Sequence, residues 1–416
     1  MRKRVLIGLL AVLGLWLPGA QMIFAADGDA GQAGAFLTYG AGARAMGMGR
    51  AFVGLADDAT AVYWNPGGLA NVAQNQVILQ HTTLIDSNAY DYVGYDQIFP
   101  TIGTLGVGLV MLNQPEAEFR DSYDVVGSSF KNQEIGFLIG FGTDITTSLA
   151  AGATLKVVSQ TLMGSSGAGF GLDVGLMYHP YPMLNIGLAF QNLVAPQIKL
   201  KDDAEHYPLN LVFGVGSKFF GDTLKVDLDV SKSSEQNSLK PRLGLEDSPI
   251  PDLFLRAGID DTEIGLGAGY RYAGFQLDYA LGLQAVEMMH KIALSYYFGG
   301  FELKAIADPP SFSPVGVNKV TVIKLSCQTK FEIRFWDVQI RNETNAVVKK
   351  YSGEGFPPDH LIWDGLLDNT NPMPDGKYKV QLTVVDANGQ TKHSSEFSVA
   401  VQSLLPLGVS PVELTE

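Results

Sequence analysis

The stretch Leu224-Lys225-Val226-Asp227-Leu228-Asp229-Val230-Ser231 places an apolar side chain at every even position and a charged or hydroxyl-bearing one at every odd position. A period of two belongs to an extended strand, whose successive side chains point to opposite faces. Working outward, Ile135, Phe137, Ile139 and Phe141 alternate with Glu134, Gly136, Gly140 and Gly142, and Phe170, Leu172, Val174 and Leu176 alternate with Gly171, Asp173 and Gly175. This period dominates residues 76–298. Counting such segments gives about fourteen strands, most near the ~10 residues that a tilted strand needs to cross a bilayer.

The connections have a rhythm. Long polar ones, 113–132 and 193–207, are followed by tight ones at Gly142-Thr143-Asp144, His179-Pro180-Tyr181-Pro182 and Gly221-Asp222-Thr223. Barrels of the outer membrane have long loops outside and short turns in the periplasm. The last strand ends in Tyr296, Tyr297 and Phe298, where an interfacial aromatic girdle is expected. Soluble sheets also alternate, because one face meets a core and the other water. Strand length argues against that reading, and so do Lys156, Asp173, Lys218, Arg242, Arg256, Arg271 and Asp278 on the polar face of successive strands. In a closed barrel these charges point into a lumen and neutralise one another, and closure leaves no unsatisfied strand edge in lipid.

Composition agrees. Hydrophobic residues make up 46% of the chain, charged ones only 17%, and 47 of 416 residues are Gly. The net charge of −14 excludes nucleic acid as a partner, since that requires clustered Lys and Arg. Arg2, Lys3 and Arg4 precede an apolar run over 5–17, and Ile23-Phe24-Ala25 supplies a cleavage site, so residues 1–25 read as a secretory signal peptide. The single cysteine, Cys327, allows neither an intrachain disulfide nor a cysteine zinc cluster.

Residues 26–75 share none of the alternation. The small-residue runs 40–53 and 56–70 are too irregular for a lipid-facing strand and suit a plug packed in a narrow lumen. Within them Ala59 to Tyr63 reads as a helical turn, Pro66 pushes Asn65 out of the helical region, and Gly67-Gly68 let the chain reverse after Trp64. Here the chain resembles the PorV/PorQ family. The resemblance rests on the run Gly42-Ala43-Arg44-Ala45-Met46-Gly47-Met48-Gly49, then Ala51-Phe52-Val53, Asp57-Asp58-Ala59-Thr60-Ala61 and Trp64-Asn65-Pro66. That family belongs to the wider FadL-like group of fourteen-stranded outer-membrane proteins, whose hatch carries an Asn-Pro-Ala turn. Gly67 departs from it. The resemblance implies one of two functions: a component of type IX-like secretion that handles exported cargo, or a carrier of long-chain fatty acids or other hydrophobic compounds. Asn65-Pro66 is then either a simple connecting turn or part of a gate. The polar, glycine-rich lumen favours the secretion reading, because such a wall is poor at burying an acyl chain.

After residue 300 the composition changes. Residues 301–316, with a Pro-rich stretch at 307–314, read as a linker, 317–404 as a small domain of short strands, and 405–416 as a tail. Leu361-Ile362-Trp363-Asp364-Gly365 and Asn371-Pro372-Met373-Pro374-Asp375-Gly376-Lys377-Tyr378 resemble the immunoglobulin-like module of the FlgD type. The resemblance implies a β-sandwich with Trp363 and Tyr378 in its core and turns at Asp364 and Gly376. Asp386-Ala387-Asn388-Gly389 reads as a hairpin turn. An even strand number puts both barrel ends in the periplasm, where this domain would dock to a periplasmic protein.

No catalytic constellation emerges. The run 40–45 fits a relaxed dinucleotide fingerprint but has no preceding strand and no βαβ unit. The six histidines lack ligand spacing, and Asp57-Asp58 reads as helix capping. The expectation is an all-β outer-membrane barrel with an amino-terminal plug and a small immunoglobulin-like sandwich. It needs no cofactor, metal or enzymatic activity, and its surroundings are outer-membrane lipid, protein partners and a hydrophobic small molecule.

Overall fold

A computed structural model describes residues 33–402 except 85–87, 100–101, 121–122, 202–203, 221–222, 251, 285–287, 300–301, 317–318, 330–332, 368–370 and 387–390. The signal peptide, the tail 405–416 and most of the 386–389 turn lie outside the described residues. The chain divides into two units, residues 1–298 and 299–416.

Fourteen antiparallel strands close on themselves in the first unit. In chain order they are β1 Asn75–Thr83, β2 Ala89–Phe99, β3 Gly103–Asn113, β4 Asn132–Thr146, β5 Leu149–Leu162, β6 Ser165–Tyr181, β7 Leu184–Val194, β8 Asn210–Phe219, β9 Leu224–Ser233, β10 Lys240–Ile250, β11 Leu253–Ile259, β12 Ile264–Tyr272, β13 Phe275–Leu283 and β14 Met288–Phe298. Each pairs with its neighbour, and β1 meets β14 from Asn75 opposite Phe298 to Thr83 opposite His290. Closure satisfies every strand edge, the condition that a bilayer imposes.

Alternation sorts the two faces. On β4, Phe137, Ile139 and Phe141 point outward at 39–42% exposure, while the intervening Leu138 is buried inside. On β9, Leu228 faces out and Asp227, Asp229 and Ser231 face in, all buried. The aromatic end of β14 divides in the same way. Tyr296 is exposed on the outer wall and packs against Phe275 and Phe298, whereas Tyr297 turns inward and donates no part of itself to a girdle; its ring lies under Arg271 at 3.9 Å. A run of three aromatics on a strand cannot all share one face.

Two tight turns fall where the sequence reading did not put them. Gly142, Thr143 and Asp144 lie inside β4, and the chain reverses at 147–148; β6 runs through His179 and Tyr181, with the reversal at 182–183. The long connections carry local structure of their own. Ala117–Arg120 pairs with Val126–Phe130, and Gln197–Lys199 pairs with Ala204–His206.

In the second unit, a three-stranded sheet of Glu302–Asp308, Thr321–Gln328 and His360–Trp363 faces a larger sheet. The larger sheet is built on Gly376–Asp386, flanked by Ile333–Arg341 and Phe397–Val401, with Ser311–Phe312 joining in parallel. They share a core that includes Phe312, Ile323, Trp363, Tyr378 and Val399. The expected linker 301–316 is therefore corrected: most of 302–312 is strand. Alternating Leu303, Ala305 and Ala307 pack on the core, and prolines at 309 and 310 merely separate two strands.

Candidate functional site

The site is the lumen and what fills it. Residues 35–71 form a hatch of short turns, Ala35–Thr38, Ala43–Gly47, Ala61–Trp64 and Pro66–Asn71, with no long helix. Its side chains are small because the wall lies against its backbone. A Cβ on Gly258 of β11 would stand 2.0 Å from the carbonyl carbon of Met48, and one on Gly175 of β6 would stand 2.8 Å from the nitrogen of Gly67. Inward-facing glycines thus let hatch and wall backbones meet, which accounts for the glycine alternating with apolar residues in the strands.

Wall side chains satisfy the hatch's open backbone. Asp229 Oδ2 accepts from the N–H groups of Phe52 and Val53 at 2.8 and 2.9 Å, and Asp227 Oδ2 from Leu55 at 3.1 Å. Gln76 Oε1 accepts from Ala59 at 2.9 Å, Thr154 Oγ1 donates to the carbonyl of Val62, and Tyr92 Oη to that of Ala59. A loop-like segment buried in a lumen needs such partners for every polar group.

Charges lock it further. Glu246 of β10 receives Arg44 Nε and Nη2 at 2.8 and 3.1 Å, Arg256 Nε at 2.7 Å and Lys225 Nζ at 3.0 Å. Arg44 also holds Asp57 and Asp58, Arg256 holds Asp278 at 2.6 Å, and Arg50 reaches Asp260 at 2.5 Å. Burial pushes the Asp57 carboxyl up, but Arg44, Lys225 and Lys218 outweigh it and hold that carboxyl well below the usual range.

The hatch turn has a definite geometry. Asn65, in extended conformation, accepts from Gly67 N–H at 3.1 Å and donates to the carbonyls of Val53 and Leu176. Pro66 then opens the 3₁₀ turn. Neither Gly67 nor Gly68, which the sequence reading gave to a chain reversal, has positive φ. They are needed for space: a Cβ on Gly67 would sit 2.9 Å from Gly175, and one on Gly68 2.2 Å from the carbonyl oxygen of Ala56. The departure from alanine at Gly67 has this physical reason. Trp64 Nε1 donates to the carbonyl of Ala41 at 2.8 Å and its ring packs edge-on to Tyr63.

Of the seven strand charges singled out from sequence, Lys156 and Asp173 pair at 2.7 Å, and Arg256 and Asp278 belong to the Glu246 cluster. Lys218 stands near Asp57, and Arg271 donates to Gln276 and covers Tyr297. Arg242 lies at the long-loop end beside a cavity of about 100 Å³, lined also by Tyr63, Trp64, Leu138, Lys156 and Asn192. Sequence reading did not single out Glu246, Arg44, Arg50, Asp260, Glu263 or Lys291. Strand parity puts Glu246 and Lys291 on the polar face, so that much was available, but their partners come from distant segments.

The ladder shifts register beside three tight turns, near 145, 179–180 and 248–249, and once more at the long-loop end. On β6 and β7, Leu172 pairs with Val194 but Val174 pairs with Phe190, leaving two extra residues on β7. Asn192, at φ 59°, occupies the bulge; its N–H bonds Asp173 at 2.6 Å and its Oδ1 accepts from Lys156 at 2.5 Å. The cavity adjoins this bulge, since Lys156, Asp173 and Asn192 line both.

In the second unit, Trp363 is fully buried between Phe312 and Tyr378, whose hydroxyl donates to the Pro374 carbonyl at 2.8 Å. Asp364 caps a turn by accepting from Leu366 N–H, next to Gly365 at φ 65°, and Gly376 starts the long central strand. Among the described residues no three metal-ligating side chains converge.

The chain matches no family model and no curated protein. Among solved structures it is similar to the toluene transporter TbuX of Ralstonia pickettii, with a TM-score of 0.50 and 13% identity over 62% of this chain and 99% of that one. The Pseudomonas putida toluene transporter TodX gives 0.49 and 14% over 62% and 98%, and a Pseudomonas aeruginosa FadL homologue 0.46 and 11% over 62% and 98%. The likeness is one of fold, a closed fourteen-stranded antiparallel barrel.

Proposed function

We propose that the chain is a hatch-sealed outer-membrane channel of the FadL type that passes small hydrophobic compounds through its wall. The observation that carries this reading is the two-residue bulge at Asn192 beside the mouth cavity. The axial route is filled by hatch backbone packed on wall glycines, so a solute entering at the long loops has its shortest way out at the interruption nearest those loops. The toluene transporters of like fold support the class of solute.

A second reading, a PorV/PorQ-type secretion or assembly component, is favoured by a different observation. Arg44, Glu246 and Arg256 fix the hatch by buried ion pairs, and a permanently sealed barrel could instead present its long loops to exported protein. The second unit, read as a FlgD-type immunoglobulin-like module on its Trp363 and Tyr378 motifs, would dock a periplasmic partner under either reading. A deletion strain assayed for uptake of labelled toluene and oleate and for its secreted proteins separates the two. Lost uptake with unchanged secretion is expected; unchanged uptake with lost secretion overturns the channel.

A further inference from the structure

Arg242 differs from the other arginines of the lumen. Arg44, Arg50 and Arg256 are each bonded to carboxylates, and Arg271 donates to Gln276. Arg242 forms no hydrogen bond or ion pair among the described residues, and its Nε is buried without a partner. Its cross-strand neighbour Asp229 and the nearby Asp260 act on it electrostatically without reaching hydrogen-bond distance; Asp229 Oδ2 is taken by the N–H groups of Phe52 and Val53, and its Oδ1 has no hydrogen-bond partner. Arg242 borders the cavity of about 100 Å³ at the long-loop end. A buried donor left unbonded costs about 1–3 kcal/mol, more when charged, so this position is poised for an acceptor.

We propose that this cavity binds a small monocarboxylate, of acetate or propionate size, with its carboxylate on Arg242 and its alkyl group against Tyr63, Trp64 and Leu138. The planar fork of a guanidinium matches a carboxylate's two oxygens. Charge selects a monoanion: the neighbouring Lys156 and Lys240 are engaged by Asp173 and Asp261, so a dianion such as phosphate finds no second open cation. Size selects a short chain, because an apolar cavity of roughly 150 Å³ is filled by one benzene. The site stands on the cavity and Arg242 alone, and holds whether the barrel conducts or is sealed.

Saturation-transfer NMR on the purified full-length protein in detergent micelles, with propionate as the probe and chloride keeping ionic strength constant, tests it. Saturable binding is expected, weakened about tenfold or more in Arg242→Gln and kept in Arg271→Gln. Absence of saturation, equal binding by Arg242→Gln, or displacement by chloride at equal concentration overturns the proposal. A heat-dependent gel shift verifies that each variant is folded. Should Arg242→Gln fail that check, Arg242→Lys keeps the charge without the fork, and undiminished binding there overturns it equally.

Discussion

Asp229 of the wall and Val53 of the hatch are joined at 2.9 Å, with the same carboxylate oxygen also taking Phe52 N–H at 2.8 Å. One side chain of the strand that announces the fold thus anchors the segment that closes it. Hydrogen bonds to a charged acceptor contribute about 1.5–3 kcal/mol each. Asp229→Ala should leave the barrel closed and heat-modifiable but loosen the hatch. Planar-bilayer recordings should show larger and noisier conductance than the wild type.

Gly258 makes the steric counterpart. A methyl there meets Met48 and Gly49 backbone at 2.0 and 2.3 Å, and backbone cannot give way as a flexible side chain can. Gly258→Val should expel the hatch, seen as protease cleavage between residues 40 and 60 in folded protein. Leu266→Ala, on the outer wall, should show none.

The Arg44 cluster predicts a pH response. Asp57 titrates lower in the folded state than its ordinary 3.8, so its stabilising contribution is fully present above that value and is lost as pH falls below it. The difference in conductance between the wild type and Asp57→Asn should therefore be constant from pH 7 to about pH 4 and shrink only in stronger acid. Arg44→Met leaves Glu246, Asp57 and Asp58 short of a cation and should cost about 3–5 kcal/mol, lowering the temperature of the gel-mobility transition at every pH.

If solutes leave through the bulge, holding its flanks together must stop them. Leu172→Cys with Val194→Cys, in a Cys327→Ser background, places two thiols at paired positions just above Asn192. Oxidation should abolish toluene uptake and dithiothreitol restore it. Uptake unaffected by a formed crosslink would rule out this exit.

For the second unit, residues 299–402 expressed alone should melt cooperatively, while a fragment starting at 317 should not, because it lacks the strand Glu302–Asp308 that pairs with Thr321–Gln328. Trp363→Ala empties the centre of the core and should cost about 3–5 kcal/mol in calorimetry.

What the sequence determined by itself was the barrel. A period of two repeated over 76–298 fixes which side chains face out, because strand geometry is local and lipid accepts only one face. The small residues of 40–70 likewise announced a packed segment before any contact was visible. Turn positions at 142–144 and 179–182 were misread because glycine and proline punctuate chains only on average, and here Gly142 serves a close approach to Pro66 and Leu69. The linker at 301–316 was misread because its prolines masked two short core strands. Only the tertiary structure decided the partners. Asp229 meets Val53 across 176 residues and Arg44 meets Glu246 across 202. Closing the barrel brings such pairs together, and nothing in either local segment encodes the distance between them. Arg242, whose Nε has no hydrogen-bond partner, became visible for the same reason: an unbonded donor is defined by all its neighbours at once.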